Sequence, residues 1–364
     1  MDSPRSVSHS PTKSSGTTPI TLFEIGVLIA SAITIAVLSF PLLQAARESS
    51  RRKTCQRNLV RIGVAMQEHE STHRKLPSSH NTDTRTQATA FGVAYPDNSR
   101  NGANGWGWGT ILLPMLDHAT LYDSMNLSRP CWDPSMANQT GTQVPIFLCP
   151  SASAGNTGFE VQMAGPDTMN GLPIKLSNGN AVRFGHSHYA VNAGTVAPWD
   201  RSARDSIDFS IPEVVKTQKG SKRVSIDGPF YPNSRVTLNS ITDGLSQTIF
   251  VGEHSSIVSH KTWVGVVPTS MSIPRLDIRQ WKSEASGGSS LVAVHSGPDP
   301  RKPVGHSAVY APNNPLGHTD SMWSEHGSGG LCLLGDGSVQ FYSAYIHPET
   351  WVALSNCVGG ENVK

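Results

Sequence analysis

Residues 20–41 read ITLFEIGVLIASAITIAVLSFP. The first 21 of these, 20–40, are an apolar run carrying a single charge, Glu24. As a helix at about 1.5 Å per residue they would span roughly 31 Å, close to the ~30 Å hydrocarbon thickness of a bilayer. The run is too long for a signal-peptide core and has no small-x-small cleavage site. A soluble core helix of this length would show a polar face, and this one does not. A membrane-spanning helix is therefore expected over 20–40. A carboxylate inside such a segment costs a few kcal/mol unless it is paired or lies near the interface, so Glu24 either snorkels or meets a cation.

Working outward, residues 1–19 (MDSPRSVSHSPTKSSGTTP) hold nothing apolar that repeats and read as a disordered tail. After Pro41, Cys55, Leu59, Ile62, Met66 and His69 step by four and three, one helical stripe. The other faces carry Arg47, Arg51, Arg52, Lys53, Arg57 and Arg61. One helix from 20 to about 73 is predicted, loosened at Pro41. The organisation expected is a tail (1–19), a transmembrane helix (20–40), a helical stem (41–75) and a body (76–364).

The chain has 29 Lys and Arg against 27 Asp and Glu, a net charge of +2. Removing the tail, Glu24 and the basic stretch leaves 21 basic and 24 acidic residues, so no nucleic acid is expected as a partner. Up to residue 75 there are three Gly and four Pro; the remaining 289 residues hold 30 Gly and 21 Pro. The body is thus turn-rich, with short strands. Strands are expected in VPIFLCPS, SHYAVNAGT and KTWVGVV. Hairpins are expected around Asp243-Gly244 and Asp336-Gly337, and a short helix near 114–125. The fold class is α+β, a long N-terminal helix on a mostly antiparallel, β-rich body with long loops near 78–104, 151–183 and 198–225.

The segment ITLFEIGVLIASAITIAVLSFPLLQAARESSRR resembles the N-terminus of type IV pilins and type II secretion pseudopilins. Ile20 aligns with the first mature residue, Glu24 with the family's glutamate and Pro41 with its proline. The resemblance implies peptidase processing between Pro19 and Ile20, and pairing of Glu24 with a neighbouring subunit's N-terminal amine. The family has Gly where Pro19 stands and Phe where Ile20 stands. Proline has a fixed φ and no N–H, which sets the scissile bond apart from the family pattern. Without processing the chain is a single-pass anchor.

The segments WGTILLPMLDHATLYDSMN, IFLCPS, HYAVNAG, DGPFYPNSRVTLNSITDGLSQTIFVGEHS and EHGSGGLCLLGDGSVQFYS are similar to the bacterial domain-of-unknown-function family numbered fifteen fifty-nine. Its C-terminal signature, a His, nine residues and Asp-Gly, is matched by His326, Asp336 and Gly337. Together the resemblances imply a cell-membrane protein with a cytoplasmic N-terminus and a body outside the cytoplasm. Its partners would be the lipid bilayer and like subunits or other pilin-like proteins, met through the helix. The net charge of +5 over 47–61 opposes this orientation by the positive-inside rule.

Chemistry is sparse. HExxH, GxSxG, Walker and GxGxxG motifs are absent, so no enzyme is expected, a hydrolase-like body being the remaining alternative. His326 and Asp336 would act as ligands or an acid–base pair if a hairpin joined them; otherwise Asp336-Gly337 makes a turn and His326 ends a strand. His186 and His188 point the same way in a strand, but two ligands make no site. No metal or cofactor is expected. Trp106, Trp108, Trp132, Trp199, Trp263 and Trp281 lie in turn-rich contexts; they either stack on sugars or pack the core. Among Cys55, Cys131, Cys149, Cys332 and Cys357 the sequence-near disulfides are Cys131 with Cys149 and Cys332 with Cys357, with connectivity open. Cys55, on the stripe, is expected to pack as a small apolar residue.

Overall fold

The computed structural model describes residues 21–82, 104–153, 157–163, 171–176, 178–195, 227–275, 286–297, 310–314, 317 and 319–357. The tail, Pro19, Ile20, Trp199, Trp281 and most of the long loops lie outside them.

Helix α1 spans Leu22–His73 and continues unbroken through Pro41. One missing N–H does not interrupt a helix of this length. The chain divides into two compact units, Met1–Ser49 and Ser50–Lys364. The boundary falls inside α1; beyond it the stripe Cys55, Leu59, Ile62, Met66 and His69 is buried, joined by Gly63 and Ala65. In the first unit the apolar side chains stand in the open: Leu28 is 63% and Leu42 71% exposed. No residue in the apolar window is buried, and the helix is long and apolar enough to cross a bilayer.

The second unit is built on a five-stranded sheet. Its strands are β1 (Tyr189–Asn192), β2 (Ile249–Glu253), β3 (Ala293–Val294), β4 (Gly329–Leu334) and β5 (Val339–Ser343). They lie in the order β3-β1-β2-β4-β5. All pairs are antiparallel except β3 with β1. Leu331 and Leu333 join the main core with Leu59 and Ile62 of α1. The alternate residues Cys332 and Leu334 join a second cluster with Ala190, Ile249, Trp351 and Leu354. Trp351 and Leu354 belong to helix α2 (Pro348–Ser355). The sheet is therefore covered on both faces, which is why β4 reads as an unbroken GGLCLL. Gly63 lets α1 approach: a Cβ there would stand 2.8 Å from Leu333 Cδ1.

The fold class is α+β as the sequence indicated. The hairpin at Asp336-Gly337 joins β4 to β5, with Gly337 at φ +88°. Four local expectations differ. VPIFLCPS is not a strand; Pro145, which donates no ladder hydrogen bond, opens a 3₁₀ turn over Pro145–Phe147. No hairpin forms at Asp243-Gly244. The segment before it closes into a 3₁₀ turn, Leu238–Ser240, held by reciprocal Thr237 and Ser240 caps, and only IFVGE pairs, as β2. KTWVGVV makes isolated bridges through Thr262 and Gly265. The helix near 114–125 is shorter than expected, an α-helical turn over Ala119–Asp123 preceded by a 3₁₀ turn at Leu113–Leu116.

Candidate functional site

Four distant segments of the second unit converge on one buried position. α1 supplies Cys55, the chain after the Pro145–Phe147 turn Cys149, the end of β2 Glu253, and the segment before β4 His326. All four side chains are buried, and their ligand atoms lie within 4.8 Å of one another. Cys55 and Cys149 are joined as a disulfide with Cα atoms 5.4 Å apart, closing 94 residues. Cys149 Sγ is 3.4 Å from His326 Nε2. His326 Nε2 is 3.3 Å from Glu253 Oε1. The Leu331 N–H donates to Glu253 Oε2 at 2.8 Å, fixing the carboxylate. Arg52 donates to the His326 carbonyl at 2.9 Å and lies 4.8 Å from the Phe341 ring centroid. The Cys149 N–H donates to His188 Nδ1 at 3.0 Å.

The disulfide corrects both sequence-near pairings. Cys131, Cys332 and Cys357 are free and buried. Burial pushes the Cys131 and Cys332 thiols up, and that of Cys357 up to about 12, so none is a ready nucleophile. Cys55 does sit on the stripe, but covalently bound. The signal that could have found its partner was its position on the buried face, since only a body cysteine can reach it there.

His326 and Asp336 are not brought together. β4 lies between them, six residues or about 20 Å long. Asp336 Oδ1 accepts from the Ser338 N–H at 2.9 Å, a local turn, while His326 faces the disulfide. The nine-residue spacing is the length of a strand with its two ends. Sequence reasoning missed Glu253, which had no motif to mark it.

The described tryptophans of the candidate sugar platform are core residues. Trp106, Trp108, Trp132 and Trp263 are each at most 4% exposed. Phe147 sits between two of them, edge-on to Trp108 at 5.5 Å and stacked on Trp263 at 6.1 Å.

His186 and His188 belong to a histidine cluster with His260. A pocket of about 370 Å³ is lined by Phe159, Glu160, Arg183, His186, His260 and Arg275. Phe159 stacks on His260 at 4.6 Å. Burial, and then the Arg275 charge, lower His186 to about 4 and His260 to about 3. Burial, and then His186, lower His188 to about 3. These rings fold neutral, whereas unfolded they titrate near 6.5. Below pH 6.5 the unfolded chain takes up protons first, so stability falls as pH drops from 6.5 toward 4 and is unaffected by these groups above 6.5. The slope is up to about 1.4 kcal/mol per pH unit for each histidine. Thermal midpoints across pH 7.5 to 4 should show this decline; a flat profile would contradict it.

In the first unit, Glu24 closes a capping box at the start of α1. Its carboxylate accepts from the Thr21 N–H at 2.8 Å and the Thr21 hydroxyl at 3.0 Å, and its own N–H donates to Thr21 Oγ1 at 3.3 Å. The carboxylate thus has a local partner within its own helix terminus.

An apolar helix able to span a bilayer, followed by a mixed α+β body with a buried disulfide, defines the class. The chain belongs to the family described as Protein of unknown function (DUF1559), whose model matches residues 44–349. No curated protein and no solved structure matches it.

Proposed function

We propose that this protein is a membrane-anchored, pilin-like structural subunit. The N-terminal half of α1 sits in the bilayer with the tail in the cytoplasm, and the body stands outside. Its partners are lipid and other subunits of like build, packed helix to helix as in a type IV pilus or a type II secretion-like assembly. The role is structural rather than catalytic. The observation that carries this reading is the uncovered apolar half of α1, which has a single carboxylate, at the position the pilin resemblance marks. The Cys55–Cys149 disulfide supports an oxidising location for the body. In an assembly, Glu24 would exchange its Thr21 cap for a neighbour's amine.

A second reading rests on the histidine-lined pocket: an uncut anchor that displays a ligand-binding body. The intact mass of the membrane-extracted protein separates the two. Assembly predicts a mature chain beginning at Ile20. A chain retaining Met1 or Asp2 would refute processing and leave the anchored binding body.

A further inference from the structure

We propose that Cys55, Cys149, Glu253 and His326 hold one zinc-type divalent cation when the two cysteines are reduced, so that disulfide and metal are alternative states of one buried position. The inference concerns the second unit and stands whether or not the chain assembles.

The donor set is suited to it. Two thiolates, an imidazole and a carboxylate are the ligands that select a tetrahedral zinc-type ion. With Zn–S near 2.3 Å and Zn–N and Zn–O near 2.0–2.2 Å, the edges of a tetrahedron are about 3.5 Å from S to N and about 3.4 Å from N to O. The corresponding separations are 3.4 Å, Cys149 Sγ to His326 Nε2, and 3.3 Å, His326 Nε2 to Glu253 Oε1. Two edges of the polyhedron are therefore in place with the disulfide closed. The sulfurs must part, to about 3.8 Å at the same bond lengths, and the four ligand atoms all lie within 4.8 Å of one another.

Glu253 is the second observation. It is 3% exposed, and its Oε1, whose near neighbour is His326 Nε2 at 3.3 Å, makes no hydrogen bond. Leaving a buried carboxylate oxygen unsatisfied is costly. Its other oxygen is held by the Leu331 N–H, the outer-shell arrangement that aims a ligand. A cation among the four groups would satisfy Oε1. Two thiolates and one carboxylate against a divalent ion leave a charge of −1, and Arg52 stands against the His326 backbone to offset it.

The exchange balances as follows. A dithiol reductant gives two electrons and two protons; the Cys55–Cys149 bond breaks, two S–H bonds form, and the reductant becomes a disulfide. Metal binding then displaces the two thiol protons to solvent, while Glu253 and neutral His326 donate lone pairs. In either state the α1 stem stays clamped to the chain at Cys149.

The test uses the full-length chain in detergent, reduced with a phosphine and freed of chelator, with cobalt(II) as probe. One equivalent is expected to bind, giving thiolate-to-cobalt charge transfer and intense tetrahedral d–d bands that zinc then bleaches. The oxidised chain should give neither. Zinc should raise the thermal midpoint of the reduced chain and leave that of the oxidised chain unchanged. His326→Ala and Glu253→Gln should each weaken binding about tenfold or more, and Cys149→Ser should abolish the charge-transfer band's two-thiolate intensity. Zinc-edge absorption should show two sulfur and two lighter ligands. The proposal is overturned if the reduced chain, folded or not, takes up no stoichiometric cobalt, if the oxidised chain takes up as much, or if the metal is found on three or four sulfurs.

Discussion

Cys149→Ser is expected to destabilise the second unit by about 4–5 kcal/mol. The bridge ties α1 to the body across 94 residues, and the loop-closure entropy that it removes from the unfolded chain grows with that length. The measurement is urea unfolding of wild type and variant with a chelator present, alongside wild type reduced under the same conditions. Variant and reduced wild type should unfold at similarly lowered midpoints. An unchanged midpoint would mean that the helix stem is held by packing alone.

Trp263→Ala is expected to cost about 3–5 kcal/mol, the usual range for truncating a fully buried large aromatic. Trp263 stacks on Phe147, and its Nε1 donates to the Thr142 carbonyl at 3.2 Å. Two glycines make room for it: a Cβ at Gly185 would stand 2.6 Å from its Nε1, and one at Gly109 2.7 Å from its Cβ. Such a closely fitted site cannot collapse around an alanine. Trp263→Phe keeps the stacking and should lose less, leaving the Thr142 carbonyl without this donor. Denaturant midpoints of the two variants test this; an alanine variant within about 1 kcal/mol of wild type would contradict the description of the core.

How much of this was legible follows from what each signal depends on. The α1 stripe was readable because a helical period repeats over many residues, and Cys55 to His69 are the buried face. The Asp336-Gly337 hairpin was readable because its turn chemistry is local. The weaker signal at Asp243-Gly244 failed as a hairpin because the Thr237–Ser240 caps offered the preceding segment a competing local structure. VPIFLCPS failed because a proline inside an apolar run outweighs its hydrophobicity. The site was the least legible part. Its four residues come from four segments, and no spacing along the chain encodes their meeting. Cys149 and His326 were visible as residues, Cys55 was read as packing, and Glu253 carried no signal. The described tryptophans of that turn-rich sequence, Trp106, Trp108, Trp132 and Trp263, fill the core, since glycine there serves close packing as well as loops.

The central claim is that the N-terminal half of α1 lives in lipid. Phase separation of the full-length chain in a cloud-point detergent, followed by alkaline extraction of cell membranes, tests it most directly. The chain should enter the detergent-rich phase and stay with the membrane pellet. Recovery of folded, full-length protein in the aqueous phase without detergent would contradict the account.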